Sequence, residues 1–299
     1  MSKSIQRAGS DTFWLILLLL PGLLLPVLLV LVPASGTVFT GFMNDVTFLP
    51  KEWGGASNYS RLFSDPAFYQ SLRFTLLFIA VSVPLELLCG LFLALLMQFP
   101  SPFRGILRAL VLVPWAIPAA ISGRVWELIY NYNWGLANYL VTVTGGGPVN
   151  WLGDAGGAFC ALVIADLWKT VPFVGIILLA GLSAIPDHLY RQAEVDGASF
   201  TRRFFMITLP LLRPVMVVAV LFRTIDALRI FDLVFILTSG GPGGATTSLS
   251  LLGYNYFVGG DFGYGSAIST FVFLLALGIA LIVVKAGRFG SSIERGHTG

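Results

Sequence analysis

The sequence predicts an all-α membrane protein of six transmembrane helices. Three observations carry that expectation: 56% of the 299 residues are hydrophobic, only 11% are charged, and the apolar residues gather into six long runs. A water-soluble domain carries about 25% charged residues. A chain with this deficit and a mean hydropathy of +0.85 turns most of its surface toward something other than water.

A helix crossing the hydrocarbon core needs about 20 predominantly apolar residues. The first run, 12–40, is rich in leucine and follows Lys3 and Arg7, which is also how a secretory signal peptide begins. It stays apolar past Leu20 to Val32, beyond the roughly 7–15-residue core of such a peptide, and is read as a span. The other runs are 70–97, 107–129, 157–181, 212–238 and 264–286. Pro21, Pro26, Pro84, Pro114, Pro118 and Pro172 lie inside these runs, where membrane helices accept kinks if neighbours satisfy the freed backbone groups. The two cysteines, Cys89 and Cys160, fall in apolar stretches and supply neither a disulfide framework nor a metal site.

Basic residues set the orientation, since cytoplasmic loops carry the excess of Lys and Arg. Lys3, Arg7, Arg104, Arg108, Arg191, Arg202, Arg203, Arg213, Lys285, Arg288 and Arg295 fall on one side; only Lys51, Arg61 and Arg73 fall on the other. Both termini are expected in the cytoplasm. A net charge of +3, scattered in this way, does not point to nucleic acid. Of the outer loops, 41–69 is polar and aromatic, while 130–156 and 239–263 carry Gly-Gly-Pro at Gly146–Pro148 and Gly240–Pro242. Neither glycine run has the Gly-Lys-Ser/Thr of a phosphate-cradling loop, so turn chemistry is the reading.

The inner segment Ser183–Pro214 is the longest cytoplasmic connection. Asp187 is expected to cap a short helix running to about Asp196, Gly197 to end it, and a second helical stretch to cover Ser199–Ile207, with Pro210 and Pro214 opening the fifth span. Such a helix–Gly–helix unit suits either a cleft on a soluble partner or the headgroup layer, with its arginines on lipid phosphates.

At this segment the chain resembles a known family. Gly197, nine residues, then Ile207-Thr-Leu-Pro210 is similar to the EAA loop of binding-protein-dependent ABC importer permeases. Leu179-Ala-Gly-Leu182, Ile185-Pro and Asp196-Gly-Ala198 resemble the maltose/trehalose/glycerol-phosphate branch, which takes up carbohydrates. So do Val113–Pro118, Trp168–Phe173, Phe231-Asp-Leu, Thr238–Pro242 and Asp261–Tyr264, and the resemblance runs from about residue 70 to 286. One departure stands out: Arg191-Gln192-Ala193 occupies the place of Glu-Ala-Ala, so a cation replaces the carboxylate that usually helps dock the ATPase, with Glu194 one turn on.

The resemblance implies a type I ABC importer permease fold in a bacterial inner membrane. Residues 1–69 would form the N-terminal tail, first span and external segment, 70–287 the permease core with coupling loop 183–213, and 288–299 a cytoplasmic tail. The implied partners are a second related permease, two ATPase subunits and an external solute-binding protein. No cofactor is expected in this chain, since ATP and magnesium would sit on the ATPase. The ATPase-coupling residues carried over by motif are Tyr190, Arg191, Ala193, Glu194, Asp196, Gly197 and Phe200.

Ionisable groups inside spans are costly and mark function by default. Glu86, Arg124, Glu127, Asp166, Lys169, Arg223, Asp226, Arg229 and Asp232 all fall within the predicted spans. Arg124 and Glu127, near an outer end, read as a local ion pair. Hydroxyl-rich solutes are held by carboxylates and arginine, with an aromatic ring against the apolar sugar face, and Asp166, Trp168, Arg223 and Asp226 form such a set. By resemblance, the solute site comprises Asp166, Trp168, Thr170, Phe173, Arg223, Asp226, Ala227, Ile230 and Asp232. The alternative is that Arg223, Asp226, Arg229 and Asp232 make ion pairs between two permease subunits.

The expected function is therefore alternating-access import of a sugar or sugar-like solute: a disaccharide such as trehalose or maltose, or a glycosylated osmolyte such as glucosylglycerol. A second reading is an ion-coupled secondary transporter, which the lack of an evident internal repeat disfavours. The histidines, His188 and His297, complete no nucleophile–base set, so an enzyme is not expected.

Overall fold

The computed structural model describes residues 18–22, 24–98 and 102–295. Lys3 and Arg7, which enter the orientation argument, and His297 lie outside the described residues. The chain divides into two compact units, 1–64 with 253–271, and 65–252 with 272–299.

In the first unit, helix α1 (Leu18–Gly41) is one of the helices long and apolar enough to cross a membrane. It passes through a π-helical turn at Val27–Leu31, directly after Pro26. That turn is closed by the Val32 amide donating to the Val27 carbonyl, the five-residue spacing of a π-bulge. A two-stranded antiparallel ribbon follows, β1 (Met43–Asn44) paired with β2 (Glu52–Trp53), then α2 (Ser57–Leu62). The Asn58 side chain fastens α2 to the ribbon by donating to the carbonyls of Gly41 (3.1 Å) and Met43 (2.8 Å). Arg61 pairs with Asp261 at 2.8 Å and lies over the ring of Tyr264 at 3.9 Å. Burial lowers the Arg61 pKa, but the hydrogen bond and charge of Asp261 outweigh it and leave the value raised.

The second unit contains the long helices α3 (Pro66–Gln98), α7 (Ala155–Ser183) and α9 (Phe200–Leu228). Helices α3 and α7 approach closely at small residues: a Cβ added at Gly90 would lie 2.6 Å from a methyl of Val174 and 3.2 Å from the backbone nitrogen of Gly175. Close helix pairs in membranes are built on such residues. Asp154 caps α7 by accepting from the amides of Gly156 and Gly157. Pro84 and Pro172 stay within their helices. The last helix, α12, covers Phe262–Arg295, nine residues past the expected end at 286.

Two predicted spans are broken. The third consists of α4 (Arg104–Ala116) and α5 (Ala119–Ile129), bent by 89°. Pro118 cannot donate and pushes Ile117 into extended backbone (ψ 131°), which ends α4. The fifth does not run to 238. Helix α9 stops at Leu228, and a separate α10 (Asp232–Leu237) follows after Arg229–Phe231. The hydroxyl of Ser248 donates to the Ile230 carbonyl at 2.7 Å, satisfying a backbone group freed at that break. Counted by length and composition among the described residues, five helices could cross a membrane, or six with the bent pair taken as one span.

The outer loops bear out the turn reading. Helix α6 (Leu136–Val143) carries Asn138, which donates to the carbonyls of Tyr132 (2.9 Å) and Val149 (3.0 Å) and accepts from the amide of Val149 and the indole of Trp151. In the other loop Gly240, Gly243 and Gly244 all take positive φ, and the Thr246 hydroxyl donates to the Gly241 carbonyl at 2.6 Å. Helix α11 (Leu249–Val258) follows, its first amide bonded to the Thr75 hydroxyl at 3.0 Å.

The inner segment is helical, with two corrections. Helix α8 (Asp187–Val195) is preceded by Pro186 at the cap position; Asp187 is its first helical residue and caps nothing. It still places a carboxylate in the first turn, where the helix dipole favours it. Past Gly197 there are not two helices but one. Helix α9 begins at Phe200, after Ser199 caps it, and continues to Leu228 through a π-helical turn at Phe204–Thr208. That turn accommodates Pro210, whose missing donor would have served the carbonyl of Met206.

Candidate functional site

Arg223 on α9 is almost fully buried, and its guanidinium holds three carboxylates from three helices. Glu86 on α3, with no exposed surface, takes both its Nε and its Nη2, the latter at 2.8 Å. Asp166 on α7 accepts from Nη2 at 3.1 Å. Asp226, one turn further along α9, accepts from Nη1. A two-pronged arginine–carboxylate contact is the strong, directional form of an ion pair. The cluster therefore fixes α3, α7 and α9 to one another at a single point. Of the three acids, Asp226 alone is well exposed, its side chain 62% accessible against 0% for Glu86 and 11% for Asp166.

That exposure opens onto a cavity of about 150 Å³. It gathers most of the predicted site: Asp166, Thr170, Arg223, Asp226, Ala227, Ile230 and Asp232 all line it. Thr170 spends its hydroxyl proton on the Asp166 carbonyl, at 2.7 Å. Two predicted residues lie elsewhere. Trp168 is two positions from Asp166, hence about 200° round the helix, and it meets Trp126 edge to face at 5.9 Å. Phe173 shares the Asp166 face but sits two turns along, where it stacks on Trp115 at 5.4 Å. The aromatic ring at the cavity is that of Phe231, brought there by the break between α9 and α10.

Sequence reasoning missed the anchoring role of Glu86 and the presence of Lys169, Arg229 and Phe231 at the cavity. Glu86 and Lys169 stood out as charges within apolar runs, which was the available signal. The Lys169 ammonium donates to the carbonyls of Trp115 (3.3 Å) and Ile117, the acceptors left free where Pro118 breaks the helix. A cation at a helix C-terminus is favourably placed. Arg223 and Asp226 pair within this chain, while Arg229 and Asp232 make no ion pair among the described residues. Arg124 and Glu127 form the expected local pair, at 2.6 Å.

On the inner segment, α8 ends in a Schellman arrangement: the Gly197 amide donates to Glu194 and that of Ala198 to Ala193, with Gly197 at φ 74°. The Tyr190 hydroxyl meets that of Thr208 at 3.0 Å, and Glu194 pairs with Arg203 at 3.6 Å. Ala193 and Asp196 line a second cavity of about 230 Å³ together with Arg202 and Arg203. Arg191 is exposed, and the apolar Val195 (88%) and Phe200 (70%) project from the same segment.

Comparison with known proteins identifies the family and the fold. Residues 86–288 match the family described as "Binding-protein-dependent transport system inner membrane component". The chain is 51% identical to the trehalose/maltose transport system permease protein MalF of Thermococcus litoralis, over 91% of this chain and 93% of that protein. It is 37% identical to the sulfoquinovosyl glycerol transport system permease protein SmoG of Agrobacterium fabrum, over 93% of this chain and 91% of that one. Among solved structures, a chain of a bacterial alginate ABC transporter in complex with its alginate pentasaccharide-bound periplasmic protein superposes with a TM-score of 0.80 at 22% identity, covering 95% of both chains.

Proposed function

The chain belongs to the family of binding-protein-dependent transport system inner membrane components, and from that membership we propose how it works. It is the permease subunit of an ATP-driven importer for a sugar or sugar-like solute, a transport subunit and not an enzyme. An external binding protein delivers the solute, and separate ATPase subunits, which hold the nucleotide and magnesium, seat on the exposed face of Tyr190–Phe200. Both termini lie in the cytoplasm, as the distribution of basic residues supports.

The observation that carries this reading is a polar cavity walled by Asp166, Arg223, Asp226 and Asp232 in a chain of otherwise apolar spanning helices, with Phe231 beside them. Carboxylates and a guanidinium offer hydroxyl groups both acceptors and donors, and the ring offers an apolar face. At about 150 Å³ the cavity is smaller than the roughly 300 Å³ at which ligand pockets begin. A second, related permease supplies the facing wall, so that the solute passes between two such chains. Trehalose and maltose are the first candidates, given the 51% identical relative.

The test is transport by the complete importer in proteoliposomes. ATP inside and binding protein outside should drive accumulation of labelled trehalose or maltose, and the uptake should survive collapse of the proton gradient. Uptake driven by an ion gradient without ATP would reject the reading in favour of a secondary transporter.

A further inference from the structure

We infer that Glu86 is the residue that sets selectivity for vicinal hydroxyls at the cavity, acting through Arg223 without touching the solute; this rests on the sugar-importer reading above. A guanidinium has five N–H donors in a fixed fork. Glu86 takes the Nε hydrogen and one on Nη2, Asp166 takes the other on Nη2, and Asp226 takes one on Nη1. The remaining hydrogen, on Nη1, has no partner among the described residues. It lies at the only end of the guanidinium whose carboxylate is exposed, and Asp226 has a second oxygen, Oδ1, equally without a partner there. Arg223 and Asp226 both line the cavity, so adjacent residues of its wall carry one donor and one acceptor not spent within the cluster. Their natural complement is a pair of neighbouring hydroxyls, one accepting from Nη1 and the other donating to Oδ1.

Glu86 decides which donor is left over. Its two oxygens grip the Nε–Nη2 edge from a position with no exposed surface, so the plane of the guanidinium cannot turn. With that grip weakened, the fork is free to rotate on its stem and to spend its Nη1 hydrogens on the aspartates. Two acids remain for the buried cation, so the charge stays compensated when Glu86 is replaced by a neutral isostere.

The experiment compares ATP-dependent uptake of trehalose with that of its 2-, 3- and 4-deoxy derivatives by the reconstituted importer. Each rate is corrected for the affinity of the binding protein, measured separately by calorimetry. In the wild type, loss of one hydroxyl of the recognised pair should lower uptake about tenfold, as removal of a hydrogen bond to a charged group does. In Glu86→Gln, with assembly confirmed by gel filtration, that ratio should fall toward one, and Glu86→Asp should restore part of it. If Glu86→Gln lowers uptake of trehalose and the deoxy sugars in equal proportion, Glu86 is a structural strut and the inference is overturned. Should Glu86→Gln fail to assemble, the ratio in Glu86→Asp decides in the same way. A wild type that carries no sugar at all would remove the importer reading itself, an outcome visible before any variant is made.

Discussion

The Lys169 ammonium reaches across from α7 to the Trp115 carbonyl at 3.3 Å, and bonds Ile117 as well, at the point where Pro118 bends the chain by 89°. A side chain from one spanning helix thus completes the backbone hydrogen bonding of another. Free carbonyls within the hydrocarbon region cost several kcal/mol unless something satisfies them.

Lys169→Met should therefore weaken the assembled permease. Hydrogen bonds to charged groups are worth about 1.5–3 kcal/mol, so the melting temperature of the purified complex should fall by several degrees, with uptake lost in parallel. Lys169→Arg, which keeps the charge and the donors, should retain most of both. A methionine variant with unchanged melting would show that water or another group serves these carbonyls.

Gly197→Ala acts on the inner segment. The residue holds φ at 74°, a conformation that costs a residue with a Cβ about 1–2 kcal/mol. Nothing lies within 4 Å of the added carbon, so the effect comes from the backbone alone. Helix α8 should lose its final turn, and uptake per ATP hydrolysed should drop while the ATPase still turns over. Coupling equal to the wild type would mean that this end of α8 bears no load.

Gly90→Val should disturb the α3–α7 contact, where the incoming Cβ meets Val174 at 2.6 Å and the backbone of Gly175 at 3.2 Å. Overpacking of this kind costs about 1–3 kcal/mol. Gly105→Ala, where nothing lies within 4 Å, is the matched control. Equal thermal stability of the two variants in detergent would contradict the close approach.

Asn138→Leu should loosen the outer loop without touching the cavity. Four hydrogen bonds converge on this side chain, and buried groups left without partners cost about 1–3 kcal/mol each. Amide exchange at Val149 should accelerate by tenfold or more, with exchange along α7 unchanged. Protection of Val149 equal to the wild type would refute the role.

Much of this architecture was legible in the sequence because the lipid-spanning constraint is one-dimensional: length and hydropathy suffice to find α1, α3, α7 and α12. The bend in the third span was also signalled, since Pro118 stands two residues beyond the end of α4. The break after Leu228 was not. Arg229, Ile230 and Phe231 carry no proline or glycine, and the hydroxyl that bonds the Ile230 carbonyl at the break comes from Ser248, eighteen residues away. The tie between Glu86 and Arg223 spans 137 positions and leaves no periodic trace in either helix. Trp168 was placed at the cavity by motif, although its angular position on α7 already pointed away from Asp166.

Helix α9 starts at Phe200 and carries Arg223 on the same helix. At 1.5 Å per residue the two are about 35 Å apart, joined by a helix that carries one widened turn at Phe204–Thr208 and two prolines, Pro210 and Pro214. The position of the Phe200 end and that of the guanidinium are therefore linked through one helix. Because that guanidinium also grips α3 and α7, the three helices must travel together or let go of one another.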